Sequence, residues 1–250
     1  MPSTAEVVAA FEHLNLSSDH VIARNEQLTA FGTSLLDYFS FRASVLNERV
    51  RHDLMDKDEA RLLFKKLRGR RRVRCPLPMN KQKGDKKNFA FLTCIVNLLI
   101  EGSIGVAPCD YDPRALTTVT GAGKPLRTLA RRVDGAFPSA VNPIAIWEIK
   151  EYYYTTTFGS RVADGVYETL LDGMELEDLE RSANRKIEHL LIVDDRYTWW
   201  ECGRSYLCRI IDMLHMGYLD EVLFGREVEA RLPVIARGWK VAWERQNRIA

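Results

Sequence analysis

The sequence predicts an α/β fold: a central mixed sheet flanked by helices, with a helical region at the amino-terminal end. Three observations predict it. His189-Leu190-Leu191-Ile192-Val193 is a short apolar run closed by Asp194-Asp195, the pattern of a buried central strand. Arg131 to Pro138 and Ile144 to Lys150 read as two strands, folded into a hairpin by a turn over Pro138 to Pro143. Around them, apolar residues recur at helical spacing.

Taken in order, Arg24 to Met55 carries Leu28, Phe31, Leu35, Phe39 and Leu46 on a helical repeat. A second helix starts at Asp56, where Asp56 and Glu59 form a capping arrangement, and Gly69 stops it. Asn88 to Glu101 reads as a buried helix ended by Gly102, and Ile104 to Ala107 as a short strand. Arg114 to Pro125 reads as a loop or short irregular strand. After the hairpin, Arg161 to Leu171 and Glu175 to Glu188 read as helices, the second acidic. Thr198 to Leu219 has the stripe of a long amphipathic helix, with Leu207, Ile210, Ile211 and Leu214 on one side. Glu229 to Ala236 is expected to add a last strand, placed near a sheet edge by Pro233. The expected domains are residues 1–75, helical and ending in a basic arm, and residues 76–250, the α/β core.

Hydrophobic residues make up 46% of the 250 and charged residues 28%, an ordinary globular balance. No apolar run reaches the ~20 residues that cross a bilayer, and Met1-Pro2-Ser3-Thr4-Ala5-Glu6 lacks a signal-peptide start, so a cytoplasmic protein without membrane contact is expected. Cys75, Cys94, Cys109, Cys202 and Cys208 contain no Cys-x-x-Cys pair and are expected as reduced thiols. The net charge of +2 hides an asymmetry: Lys65 to Lys87 holds eleven bases and one acid, while Asp164 to Glu188 holds eight acids and three bases. A basic block on an otherwise acidic chain points to a polyanion. Within it, Arg68, Arg70, Arg71, Arg72 and Arg74 would repel one another without phosphates to bind.

The hairpin carries the chemistry. Side chains alternate along a strand, so Glu148 and Lys150 share one face while Trp147 and Ile149 share the other. With Asp134 on the opposite strand, two acids and a lysine meet at one end of a hairpin. Such a set can hold a divalent metal beside a scissile phosphate.

The order helix, strand with Asp134, strand with Glu148-x-Lys150, helix, apolar strand, helix resembles the PD-(D/E)XK nuclease superfamily over roughly residues 88 to 220. Val133 stands where that family often has proline. The resemblance implies a restriction-endonuclease-like core and catalytic roles for Asp134, Glu148 and Lys150. Asp134 and Glu148 would be the ligands of Mg²⁺, with Mn²⁺ as substitute. It also suggests an extra acid on the preceding helix, where Glu101 fits either a metal ligand or a surface carboxylate at a helix end. Arg131 and Arg132, just before Asp134, and Arg161, at the start of a helix behind Ser160, add candidate DNA contacts.

Other motifs carry less. Gly121-Ala122-Gly123-Lys124-Pro125 lacks the first glycine of a P-loop, at Thr118, and has Pro125 in place of the Mg²⁺-binding hydroxyl, so it reads as a turn. The five histidines show no ligand spacing, and His215 is kept only as a distant candidate. Asp194 and Asp195 are expected to cap the next helix. The function expected is Mg²⁺-dependent cleavage of double-stranded DNA by a homodimer, most simply a type II restriction endonuclease. A repair, junction-resolving or phage-defence nuclease of the same fold, or a non-catalytic nucleic-acid-binding protein, is the alternative.

Overall fold

The computed structural model describes residues 3–69, 72–82, 85–154 and 159–249, with the side chains of 81–87 and 249 outside that description. Arg70, Arg71 and the run from Thr155 to Phe158 therefore lie outside the described residues. The chain divides into two compact units, Met1–Val50 and Arg51–Ala250.

The first unit contains α1 (Thr4–His13) and α2 (Ala30–Ser44), followed by a π-helical segment, Val45–Val50. Ser3 and Glu6 cap the start of α1 reciprocally. The helix expected from Arg24 begins instead at Ala30, because Thr29 accepts a hydrogen bond from the Gly32 N–H at 3.0 Å and fixes the start there.

The second unit opens with α3 (Arg51–Asp53) and α4 (Lys57–Arg68). Asp56 accepts from the N–H groups of Asp58 and Glu59, both at 2.9 Å, and Glu59 accepts from the Asp56 N–H at 3.0 Å, the capping box the sequence predicts. Asp56→Ala is expected to cost about 1 kcal/mol, a fall of about 2–4 °C in a thermal melt. The unit boundary falls at Val50, not at residue 75, because α4 packs against α5 (Phe91–Ile104) and so belongs to the core.

Two small antiparallel hairpins follow, β1 (Met79–Gln82) with β2 (Asp85–Phe89), and β3 (Thr118–Gly121) with β4 (Lys124–Thr128). The P-loop-like segment forms the turn of the second. The main sheet is mixed and four-stranded, in the order β5 (Gly135–Phe137), β6 (Ala145–Glu151), β7 (Glu188–Asp194), β8 (Glu221–Phe224). β5 and β6 are antiparallel, while β6, β7 and β8 are parallel. The fold is therefore mixed α/β. α6 (Ser160–Ala183) links β6 to β7, and α7 (Arg204–His215), preceded by a π-helical Tyr197–Cys202, leads to β8.

Helices cover both faces of this sheet. α5 and α8 (Glu227–Ile249) lie on one, in a core built on Phe137, Trp147, Leu190, Ile192 and Trp239. On the other face Val133, Ala136 and Ile146 meet Leu176 and Leu179 of α6.

Several expected elements are corrected. The strand placed at Glu229 to Ala236 is part of α8, which runs through Pro233 because Val228, Leu232, Ala236 and Trp239 form one stripe that is at most 1% exposed. Ile104 to Ala107 is the end of α5 and a turn, and Gly102 sits inside that helix, which Gly105 ends instead. The two helices expected between Arg161 and Glu188 are the single α6. Its N-cap is Gly159, with no side-chain hydrogen bond. Of the two aspartates expected to cap the next helix, Asp195 accepts from the Thr198 N–H at 2.9 Å, whereas Asp194 turns to the Met55 N–H at 2.7 Å and the Tyr153 hydroxyl. No helix among the described residues is long and apolar enough to cross a membrane.

Candidate functional site

β5 and β6 pair with Gly135 opposite Trp147, which sets Asp134 opposite Glu148 at the mouth of the hairpin. The Asp134 N–H donates to the Trp147 carbonyl at 3.2 Å, and its carboxylate accepts from the Ile149 N–H at 2.7 Å. Alternation along β6 then puts Ile146, Glu148 and Lys150 on the face toward α6. Lys150 Nζ lies 3.0 Å from Glu148 Oε2. The sequence-predicted trio is brought together.

α6 adds what the sequence reading missed. Gly165, Glu168, Asp172, Leu176 and Leu179 recur at helical spacing, so the stripe that packs Leu176 and Leu179 near Ile146 carries acids beside Glu148 and Lys150. Gly165 makes room for the lysine: a Cβ there would meet Lys150 Cδ and Cε at 3.3 Å. Lys150 Nζ also lies 3.7 Å from Glu168 Oε2.

Arg131 sits among these groups, not at a free rim. Its Nη2 lies 2.9 Å from Glu148 Oε2 and 2.6 Å from Asp172 Oδ2, and its Nη1 3.5 Å from Glu168 Oε2. The cluster thus gathers four carboxylates against two cations. Glu148 and Asp172 are each 2% exposed at the side chain, so these pairs are desolvated.

The electrostatics follow from that crowding. Asp134 keeps an exposed edge, yet the protein packed round its carboxyl, and then the Glu148 charge, push its pKa up to about 6. Burial likewise pushes Asp172 up to about 7, with Glu148 raising it and Arg131 opposing. Burial pulls Lys150 down, but Glu148 and Asp134 together outweigh that and hold it above its ordinary value.

One buried oxygen in the cluster is orphaned. Glu148 Oε1 has no hydrogen-bond partner among the described residues, and neither has Arg131 Nε. An unsatisfied buried carboxylate oxygen is costly and fits a ligand supplied from outside. Among the described residues no group of three or more His, Cys, Asp or Glu side chains is arranged to hold a metal ion. Arg131 and Lys150 lie between the acids, which accounts for that. Mg²⁺ commonly takes only one or two carboxylates and keeps several waters, so two acids suffice in number for it.

The remaining candidates are dispersed. Glu101 is not with the cluster: its Oε1 accepts from the Arg74 and Cys75 N–H groups at 2.9 and 3.0 Å, so it holds a loop against α5. Arg74 also donates to the Gly105 carbonyl at 2.6 Å. Arg68, Arg72, Arg132 and Arg161 are exposed. His189 is buried on β7 with Nδ1 2.9 Å from the Tyr218 carbonyl, and burial lowers its pKa.

Residues 55–239 match the family model described as Domain of unknown function (DUF7687), and residues 1–49 match another, Domain of unknown function (DUF7690). The chain belongs to the DUF7687 family. No curated protein and no solved structure matches it. The DUF7687 segment holds the whole sheet and every residue of the cluster, while the DUF7690 segment coincides closely with the first compact unit.

Proposed function

We propose that this chain is a Mg²⁺-dependent nuclease with a restriction-endonuclease-like core, cleaving phosphodiester bonds in double-stranded DNA. The observation that carries this is the pairing of Asp134 with Glu148 and Lys150 at one end of a hairpin, with Glu148 Oε1 buried and without a partner among the described residues. A buried carboxylate oxygen without a protein partner is stabilised by a cation supplied from outside. Asp134 and Glu148 would hold the metal, Mg²⁺ or Mn²⁺. When bound, it supplies Lewis-acid stabilisation of the phosphate and a more acidic water. Lys150, within reach of Glu148 and kept charged by the acids around it, would orient the attacking water or offset charge growing on the phosphate. Asp172 and Glu168 hold Arg131 and Lys150 in register.

Cutting both strands needs two such sites, so a homodimer is the working unit in this reading, and a type II restriction enzyme its simplest form. Plasmid DNA incubated with the protein should be cut with Mg²⁺ and remain intact in EDTA. Defined fragments favour restriction, whereas smears or preferential cutting of branched DNA favour a repair or defence role. Alanine at Asp134, Glu148 or Lys150 should each reduce cleavage by at least about 10²-fold. Full cutting by all three variants removes the site.

A second reading has its own observation. Lys150, Glu148, Arg131 and Asp172 already neutralise one another in part, as a structural ion network would. A melt unmoved by Mg²⁺ supports that network and opposes the nuclease.

A further inference from the structure

Outside the acid cluster, α4 presents a row of cations along one side. Lys57, Arg61, Lys65 and Arg68 are spaced by four, four and three residues, and all are exposed. They extend over about 16 Å of helix at 1.5 Å per residue, the axial rise of about five base pairs. Lys57 and Lys65 have no ion pair among the described residues, and Arg61 has only the exposed pair with Asp58 at 3.3 Å, which contributes little.

The row borders a cleft of about 440 Å³ that includes Arg61, Lys65, Arg68, Phe89 and Phe91. The Arg68 guanidinium lies 5.5 Å from the Phe89 ring centre and 5.9 Å from that of Phe64. Rings beneath the flat face orient the guanidinium while its N–H edge stays available for an anion. At the other end, Lys57 Nζ lies 5.8 Å from the ring centre of Tyr154, which in turn lies 6.3 Å from that of Phe91. Tyr154 follows Lys150 by four residues, just past the end of β6. The row therefore starts beside the strand end that carries the candidate lysine.

We infer that this face of α4 is a docking track for the phosphate backbone of duplex DNA, leading toward the carboxyl end of β6. Like-charged side chains at helical spacing repel one another, a cost that a polyanion removes. The choice of DNA as the occupant rests on the nuclease reading.

Binding can be read without cleavage, so the two proposals fail separately. The probe is a fluorescein-labelled duplex titrated with the full chain in EDTA, followed by anisotropy at several salt concentrations. Lys57→Glu/Lys65→Glu should weaken binding at least about 10-fold and lower the slope of log K against log salt by about two. Lys57→Gln/Lys65→Gln, less disruptive of local charge, should give the same fall in slope. Unchanged affinity and slope in both variants, with melting temperatures kept, overturn the inference even if plasmid cleavage is seen. Binding of poly-glutamate in place of DNA through the same residues also overturns it. A DNA-binding protein that loses affinity in these variants, yet never cuts, keeps the track and loses the nuclease.

Discussion

Gly135→Ala is expected to lower the melting temperature by on the order of 6–12 °C, the consequence of about 3 kcal/mol of overpacking in a domain of this size. A Cβ at Gly135 would stand 2.1 Å from both Cε2 and Cζ2 of Trp147, its cross-strand partner. The indole has nowhere to go. It is 0% exposed and stacks on Trp239 at 5.7 Å and 6°, and Trp239 stacks on Phe137 in turn. The damage would not stay in the core, because Asp134 precedes this glycine and is hydrogen-bonded to the Trp147 carbonyl and the Ile149 N–H. On the proposed nuclease reading, cleavage should therefore fall along with stability. A double-mutant cycle with Trp147→Phe isolates the cause: the smaller ring should relieve at least about 1 kcal/mol of the alanine's cost. Strict additivity would mean that the Cβ–indole contact is not what glycine avoids.

That coupling explains how much of the site was legible in the sequence. A period of two is a strong local signal, so the hairpin and the shared face of Glu148 and Lys150 could be read directly from Trp147 to Lys150. The central strand β7 was legible for a similar reason, a dense apolar run with charges at its end. Glu168 and Asp172 were not singled out, because eight acids between Asp164 and Glu188 look like a solvated helix. The signal was present, however: the two acids continue the Leu176 and Leu179 stripe, so they had to face whatever those leucines face.

The misreadings elsewhere have equally local causes. β8 is only four residues long, Glu221–Phe224, too short to stand out from the helix before it. Pro233 argued against a helix on propensity alone, and the buried stripe of α8 overrode it. Glu101 was matched to a role by its position on α5. The N–H groups of Arg74 and Cys75 claim it, and no spacing within the helix shows a partner so far away in the chain.

Arg131→Met is expected to cost about 3–5 kcal/mol at pH 8, because it takes away the guanidinium that pairs with the buried Glu148 and Asp172 carboxyl groups. The pH dependence follows from the direction of the Asp172 shift. Its pKa is raised from the ordinary 3.8 to about 7, so the folded state holds the proton more tightly than the unfolded state, and this group costs stability as pH rises through that window. Arg131 opposes the rise, so removing it moves Asp172 higher and deepens the loss at alkaline pH. Near pH 4 the carboxyl is protonated in wild type and variant alike, and this part of the difference vanishes. The gap between the two melting temperatures should therefore widen from pH 5 to pH 8.5. Arg131→Met/Asp172→Asn should recover part of it, since the amide has no charge to strand. A divalent cation offers a further discrimination. If Asp134 and Glu148 hold one, Mg²⁺ should raise the melting temperature of Arg131→Met more than that of wild type, because the metal no longer competes with a guanidinium for Glu148. A gap that stays constant with pH would show that Arg131 stabilises the fold through packing instead of charge. A variant indifferent to Mg²⁺ would remove Asp134 and Glu148 as its ligands.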